Sequence, residues 1–466
     1  MSGAAIKPIE KLSEAELEAV TAAQDAKGGA FSDPDLAAMN AKYSVVKIGG
    51  KTRVVSLEAS PAYPGSLVPV FSTIPDFCAF HAKIKKEIAA PDGSAKRIGI
   101  GKWWIDHEER RQFDAIVYAP NVTDDSKLNL WTGFGCEPKP GDCNLYLAHL
   151  LDNICGGNTE YSEYLVGWMA HAAQHPERQG EVAVVLRGKE GVGKGVFAKQ
   201  FGRLFGSHFK HIINAKHLVG HFNAHLQHCS VLFADEAFFA GDRSHESVLK
   251  GLITEETILV EPKGVDSYSV RNCIHLVMSS NSEWVVPAGA DARRYFVLEV
   301  ASTHMQDHPY FARIARQMDN GGRSALLHYL LNLDISRFDV RTVPQTAALA
   351  DQKTRSRRGV DRLIEMVAQG GTLPSADPTY PNVAITTGED KGEGFYCGAR
   401  SMVPELRHES SIVVAKVLKD DWGCRMWKSG YRRGIEFPSL AELRAMFDRK
   451  HGTQDWAADV RDWEGA

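Results

Sequence analysis

The sequence predicts an α/β protein organised around a parallel β-sheet, and three observations carry that reading. Between residues 181 and 300 the apolar residues gather into short, nearly unbroken runs at 182–186, 231–234, 274–278 and 296–298. Runs this short suit strands buried on both faces, with crossover helices in the polar stretches between them. A glycine-rich loop, GKEGVGKG at 188–195, follows the first run and precedes the helix-like VFAKQFGRLF. The second run ends in Asp235 and Glu236 and the third in Ser279, Ser280 and Asn281. Chemistry-bearing groups thus collect at the carboxyl ends of strands, where open α/β sheets receive ligands.

The rest of the chain divides around this core. Its 466 residues predict about three domains at roughly 100–200 residues each. With 44% hydrophobic and 24% charged residues the composition is globular, which excludes a disordered or fibrous chain. Residues 1–40 read as a peripheral segment with a short amphipathic helix that starts at a capping box of Ser13 and Glu16. Residues 41–150 read as a mixed α+β region, opened by a hairpin at 43–57 that turns on Gly49 and Gly50. Helical spacing runs from 144 to 171, the α/β domain spans 151–345, and helical spacing returns at 310–332. Residues 346–395 form a basic segment, with Lys353, Arg355, Arg357 and Arg358, and a Gly/Pro-rich linker at 371–394. A small domain closes the chain at 396–466, where Trp422 and Trp427 mingle with Arg425, Lys428, Arg432 and Arg433. That mixture fits a nucleic-acid contact and equally fits core tryptophans beneath a solvated basic face.

Each polar group at the strand ends has a chemical use. Glycines at 188, 191, 193 and 195 let the backbone of Gly188, Gly191, Val192, Gly193, Lys194, Gly195 and Val196 wrap a phosphate, and Lys194 reaches the outer phosphates. Gly195 stands where such loops carry Ser or Thr, so a Mg²⁺ ion would draw its ligands from Asp235, water and phosphate oxygens. Glu236 is the candidate base that polarises an attacking water, and Asn281 the amide that orients it. Arg293 and Arg294 follow nearby in sequence. Together these predict an ATPase whose cofactors are ATP and Mg²⁺.

The order Gly188 to Lys194, Asp235-Glu236, Ser280-Asn281 and DARRYF at 291–296 resembles the superfamily 3 helicase core. More narrowly, it is similar to the helicase part of phage and poxvirus-type primase-helicases. WTGF at 131–134, GDC at 141–143, GHFN at 220–223 and DQK at 351–353 extend the resemblance over roughly residues 40–355. The resemblance implies an AAA+-like P-loop ATPase that forms a ring, expected to be a homo-hexamer, and moves 3′ to 5′ on single-stranded DNA. It implies a hairpin between the carboxylate strand and Asn281 that touches DNA, with Lys263 as the main contact and Lys250 and Arg271 as further ones. It also implies that one of Arg293 and Arg294 reaches the γ-phosphate of a neighbouring subunit. A small winged-helix-like domain is expected at the carboxyl end.

The chain lacks a convincing metal-binding carboxylate pair ahead of the loop, so no primase activity is expected in it and a separate primase or polymerase is the expected partner. A formal charge of -4, from 54 Lys and Arg against 58 Asp and Glu, requires any nucleic-acid site to be a local concentration of positive charge. No apolar run approaches the ~18 residues of a membrane span and the first residues lack a secretory signal, so a cytoplasmic protein of a bacterial or phage-infected cell is expected. Eight scattered cysteines form no C-x-x-C pair, and neither Cys136, Cys143, His149 and Cys155 nor His221, His225 and His228 make a usual zinc pattern. No structural metal is expected. The rival class is a DNA-binding initiator in which ATP drives assembly without unwinding.

Overall fold

A computed structural model of the chain describes residues 33–59, 67–89, 94–120, 122, 124–214, 223–236, 243–261, 267–286, 288, 292–357, 359–388 and 392–464. The amino-terminal helix expected at 13–26 lies outside the described residues. Two compact units emerge, one from residues up to 286 with 293–350, the other from 287–292 with 351–466.

The first unit is built on a five-stranded, all-parallel sheet. In chain order its strands are β9 (Ala183–Arg187), β10 (Phe209–Ile212), β11 (Val231–Asp235), β14 (His275–Ser280) and β15 (Tyr295–Glu299). In space they run β10-β11-β14-β9-β15. Every residue of β14 is buried, as are the first four of β9 and β11, which is why these strands read as unbroken apolar runs rather than alternating ones. The strands extend beyond those runs at their carboxyl ends. Asp235 and Ser279 are therefore paired across β11 and β14 instead of lying in loops.

Helix α6 (Lys194–Arg203) packs Phe197, Ala198 and Phe201 into the core and leaves Lys199 and Arg203 outside. Gly202 lets it close on β10, since a Cβ there would lie 2.2 Å from the Phe209 ring. The expected helix at 144–171 is two pieces. Helix α4 (Asn144–Ala148) continues as π-helical His149–Ile154, then Gly156 and Gly157 break the backbone at φ 60° and 80°. Helix α5 (Thr159–Gln174) restarts from an Asn158 cap. Likewise α8 (His308–Gln317) and α9 (Arg323–Asn332) are separated at Asn320 and Gly321.

Ahead of this core, β1 (Tyr43–Ile48) and β2 (Lys51–Ala59) form the expected hairpin, joined by β3 (Leu67–Ser72) and, in parallel, by the short β6 (Gln112–Phe113). Leu36, Val54, Phe77 and Trp104 pack on one side, with the Trp104 indole donating to Asn40 Oδ1 at 2.8 Å. Tyr118 and Leu128 join Val46 and Val55 to Cys273, directly before β14. A separate antiparallel pair, β12 (Thr257–Val260) and β13 (Tyr268–Arg271), lies between β11 and β14 in sequence.

The second unit surrounds a three-stranded antiparallel sheet, β16 (Val383–Ile385), β18 (Arg432–Glu436) and β17 (Arg425–Ser429), in that spatial order. Helices α11 (Gly359–Gly370), α12 (Phe395–Met402), α13 (Ser411–Trp422) and α14 (Leu440–His451) pack with it. Part of the expected linker is thus folded, because β16 completes this sheet and Asp377 pairs with Arg432 at 2.7 Å. Trp422 is fully buried, and α14 starts at a capping box of Ser439 and Glu442. No helix among the described residues is long and apolar enough to cross a membrane.

Five histidines are held neutral by burial. Desolvation lowers His149, His171 and His208 to about 4 and His228 and His275 to about 3. An unfolded histidine binds its proton near pH 6.5, so this stabilisation is full above that value and is lost as pH falls toward 4. Urea unfolding at pH 7 and pH 5 should show a drop of more than about 1.4 kcal/mol per pH unit, the slope of a single excess proton. A flat profile would mean that these rings are not desolvated in the native state.

Candidate active site

Strand β9 delivers the chain into the glycine loop, and the loop's shape depends on residues that tolerate unusual backbone angles. Gly188, Gly191 and Gly193 have φ of 155°, 77° and 97°, the last as the amino cap of α6. A Cβ on Gly193 would fall 2.7 Å from ring atoms of both His149 and Phe311, so no other residue fits. The loop's carbonyls are taken up from behind. Gln306 N donates to Gly191 O at 3.0 Å, Asn153 Nδ2 to Val192 O at 2.6 Å, and His149 Nε2 lies 3.3 Å from Gly193 O. That contact makes His149 Nε2 the protonated nitrogen, and Nδ1 then accepts from Tyr310 Oη at 3.2 Å. Among the described residues no partner engages the N–H groups of Gly191, Val192 and Gly193. They are the donors available to an anion.

Lys194 is only 8% exposed, yet its ammonium is fully engaged. It donates to Gly188 O, to Lys189 O at 2.9 Å and to Asn281 Oδ1 at 2.6 Å. Burial lowers its pKa, opposed by the carboxylates of Glu236 and Asp235. The Asn281 amide points its other end at Glu236 Oε1, to which Nδ2 donates. The polar ends of β9, β14 and β11 are therefore joined as Lys194–Asn281–Glu236.

Asp235 ends β11 with Ser279 donating to Oδ1 and His211 Nε2 3.3 Å from Oδ2. Its neighbour Glu236 sits in the left-handed region at φ 53°, fixed by a 2.9 Å bond from its N–H to Ser279 O. Such a conformation in a residue with a Cβ costs about 1 kcal/mol or more and aims the two adjacent carboxylates differently. Neither carboxylate is buried, so both remain open to a cation or a water.

Arg293 and Arg294 are not beside this cluster. They precede β15, and Arg294 O accepts from Ala183 N at the amino end of β9. In a parallel sheet that is the opposite edge from the glycine loop, about 16 Å away at ~3.3 Å per strand residue. Their nearness in sequence to Asn281 misleads because the chain returns to the start of a strand. Arg293 is exposed, and Arg294 Nε is buried without a partner among the described residues.

Of the expected DNA contacts, Lys263 lies outside the described residues. Lys250 is exposed on α7 (Arg243–Thr254) and Arg271 is exposed at the end of β13. Asn223 ties the β12–β13 pair down, Nδ2 donating to Leu259 O at 2.9 Å and Oδ1 accepting from Glu261 N at 2.8 Å. The histidines weighed as ligands have other company. His225 and His228 lie on a 3-10 turn (Ala224–His228), and His221 is outside the described residues. Sequence reasoning missed His149, Asn153, Ser279 and Gln306 as supports of the site. Ser279 alone carried a signal, the polar end of an apolar run.

A model of a family of unknown function, DUF5906, matches residues 186–294, the stretch from β9 to Arg294. The chain is 22% identical over 229 residues to a DNA primase-polymerase of Nitratiruptor phage NrS-1, an alignment covering 48% of this chain and 31% of that protein. The fold is similar to the apo structure of the NrS-1 C-terminal region (305–718), with a TM-score of 0.59 at 13% identity, over 87% of this chain and all of that one. A second apo form of that region superposes with a TM-score of 0.55 at 14% identity, over 76% of this chain and 94% of that one. The chain therefore spans about a third of the length of the curated relative it matches and shares the fold of that relative's carboxyl-terminal region.

Proposed function

We propose that the chain is an ATP-hydrolysing DNA motor of phage-type replication, a ring-forming helicase that moves 3′ to 5′ on single-stranded DNA. The observation that carries this reading is the Lys194–Asn281–Glu236 run at the mouth of a loop with unengaged amides. In it Lys194 offsets charge on the outer phosphates, Glu236 accepts a proton from the attacking water and Asn281 orients that water. The position of β14 between β9 and β11 supports an AAA+-like core, since it sets the amide between lysine and carboxylate. Asp235 would hold Mg²⁺, which neutralises phosphate charge, with waters and phosphate oxygens as its remaining ligands. DNA as substrate is supported by the likeness to a protein named a DNA primase-polymerase.

The deciding experiment compares DNA-stimulated ATP turnover with strand displacement on a forked substrate. Both should be present. Stimulated turnover without displacement would replace the motor by an assembly ATPase, the reading that the absent hydroxyl at Gly195 favours.

Lys194→Ala should reduce ATP turnover to background, whereas Glu236→Gln should retain ATP binding and lose about 10²-fold or more in rate. Loss of binding in the Glu236 variant would give that residue a structural role. Gly195→Ser should fold and keep or raise its Mg²⁺-dependent turnover, because a Cβ there meets nothing nearer than Lys199 at 3.9 Å. A folded, inactive Gly195→Ser protein would contradict this.

The opposite-edge position of Arg293 and Arg294 leaves them no reach to their own loop, so any phosphate contact they make is with a neighbouring subunit. A guanidinium supplied in trans contributes about 10³-fold or more in rate. Mixing Lys194→Ala protein with an Arg293→Ala, Arg294→Ala protein should restore turnover at the interfaces that combine an intact loop with intact arginines. Mixed rings without recovery, or full turnover in a dilute monomer, would refute the assignment.

A further inference from the structure

The carboxyl-terminal unit carries a concentration of charge that the ATP site does not use. Residues 425–433 hold Arg425, Lys428, Arg432 and Arg433 and no acid, in a chain whose overall charge is -4. Strands β17 and β18 present them as a hairpin whose two-residue turn places Gly430 at φ 57° and leaves Tyr431 fully exposed. Arg432 is spent on Asp377 at 2.7 Å, and Arg425 stands opposite Glu436 across the hairpin. Lys428 and Arg433 have no such partner among the described residues. They stand directly opposite one another across the hairpin. Like charges in that register destabilise a hairpin, so an anion bound between the two relieves a repulsion that the folded chain leaves in place.

The same side of the hairpin borders α13. Between them runs a groove of about 300 Å³ whose lining includes Lys416, Lys419, Asp420, Arg425, Met426 and Ile435. Lys416 and Lys419 are exposed and, like Lys428 and Arg433, lack a partner among the described residues. Asp420 is the acid that faces this cluster, since Asp421 is turned to Lys450 at 3.2 Å. Lys416 and Lys419 thus line an apolar groove on the helix side, and Lys428 and Arg433 stand farther along the hairpin that forms its other side.

We propose that this helix and hairpin grip the sugar–phosphate backbone of double-stranded DNA. Single-strand sites combine a basic track with aromatic platforms on which bases stack. The residues lining the groove include no aromatic ring; of the hairpin's two rings, Trp427 is half-buried with its ring 5.9 Å from Tyr380, and Tyr431 is exposed at the turn, outside the groove lining. A single ring at the turn makes no track of stacking platforms, so the cations are left to make phosphate contacts, which position a duplex without reading its sequence. Choosing DNA over RNA rests on the function proposed above; the phosphate chemistry itself does not.

The test uses the full chain with labelled duplex DNA, single-stranded DNA and duplex RNA of one length. Lys428→Glu with Arg433→Glu, and separately Lys416→Gln with Lys419→Gln, should each weaken duplex DNA binding about tenfold or more at moderate salt. Each should flatten the slope of log affinity against log salt by about 0.9 per lost phosphate contact. DNA-free ATP turnover should stay unchanged. Arg433→Glu alone puts a carboxylate opposite Lys428 and should hold or raise the melting temperature while weakening duplex binding. Unchanged duplex affinity in both pairs, an equal loss for the single strand, a greater loss for duplex RNA, or a melting temperature that falls in Arg433→Glu would overturn the proposal. A wild-type chain with no ATP turnover would sink the motor reading and leave the duplex assay to be scored by itself.

Discussion

The architecture of the site follows from a buried ammonium. Lys194 is held where water barely reaches, desolvation lowers its pKa, and three oxygen acceptors surround its ammonium. Two of them are carbonyls of the loop and the third belongs to Asn281, the residue directly after β14, which fixes the loop against the sheet. An amide is the side chain suited to that place: its oxygen satisfies the ammonium while its nitrogen satisfies the Glu236 carboxylate. A carboxylate there would repel Glu236, and a second cation would repel Lys194. The positions of lysine, amide and carboxylate thus depend on one another, and the parallel order of β9, β14 and β11 brings them together.

The same sheet also sets what the site lacks. Parallel strands send every carboxyl end to one edge, so residues that precede a strand lie a full strand length from residues that follow one. Arg293 and Arg294 are separated from the loop by the length of β15. A single subunit contains the loop, the carboxylates and the amide, but has no arginine from this pair beside them. What keeps this pair from its own loop is therefore strand direction rather than loop flexibility.

Much of this was legible in the sequence because burial on both faces leaves a strong mark. The four apolar runs predicted four strands, and the residues at their ends predicted Lys194, Asp235, Glu236 and Asn281 at one edge. What the pattern hid has physical causes. Hydropathy places Ser279 at a strand end but says nothing of which strand lies beside it, so its pairing with Asp235 was hidden. Sequence adjacency put Arg293 near Asn281, where chain direction separates them. His149 and Asn153 support the loop from a π-helical segment, a geometry without a hydropathy period of its own, and the folded β16 was masked by the Gly/Pro content around it. The mixture of basic and aromatic residues near the carboxyl end could be resolved only by burial, which sends Trp422 inward and leaves Lys428 and Arg433 outside.

The packing behind Gly193 reaches beyond this one molecule. A side chain at that position would occupy space already filled by the His149 imidazole and the Phe311 ring. The three positions are therefore a single unit of substitution. A homologue that carries alanine in place of this glycine has to carry smaller groups at the other two, and one that keeps both rings has to keep the glycine. Drift in the loop and drift in the helices behind it are tied together, although some forty residues separate His149 from Gly193 and more than a hundred separate Gly193 from Phe311.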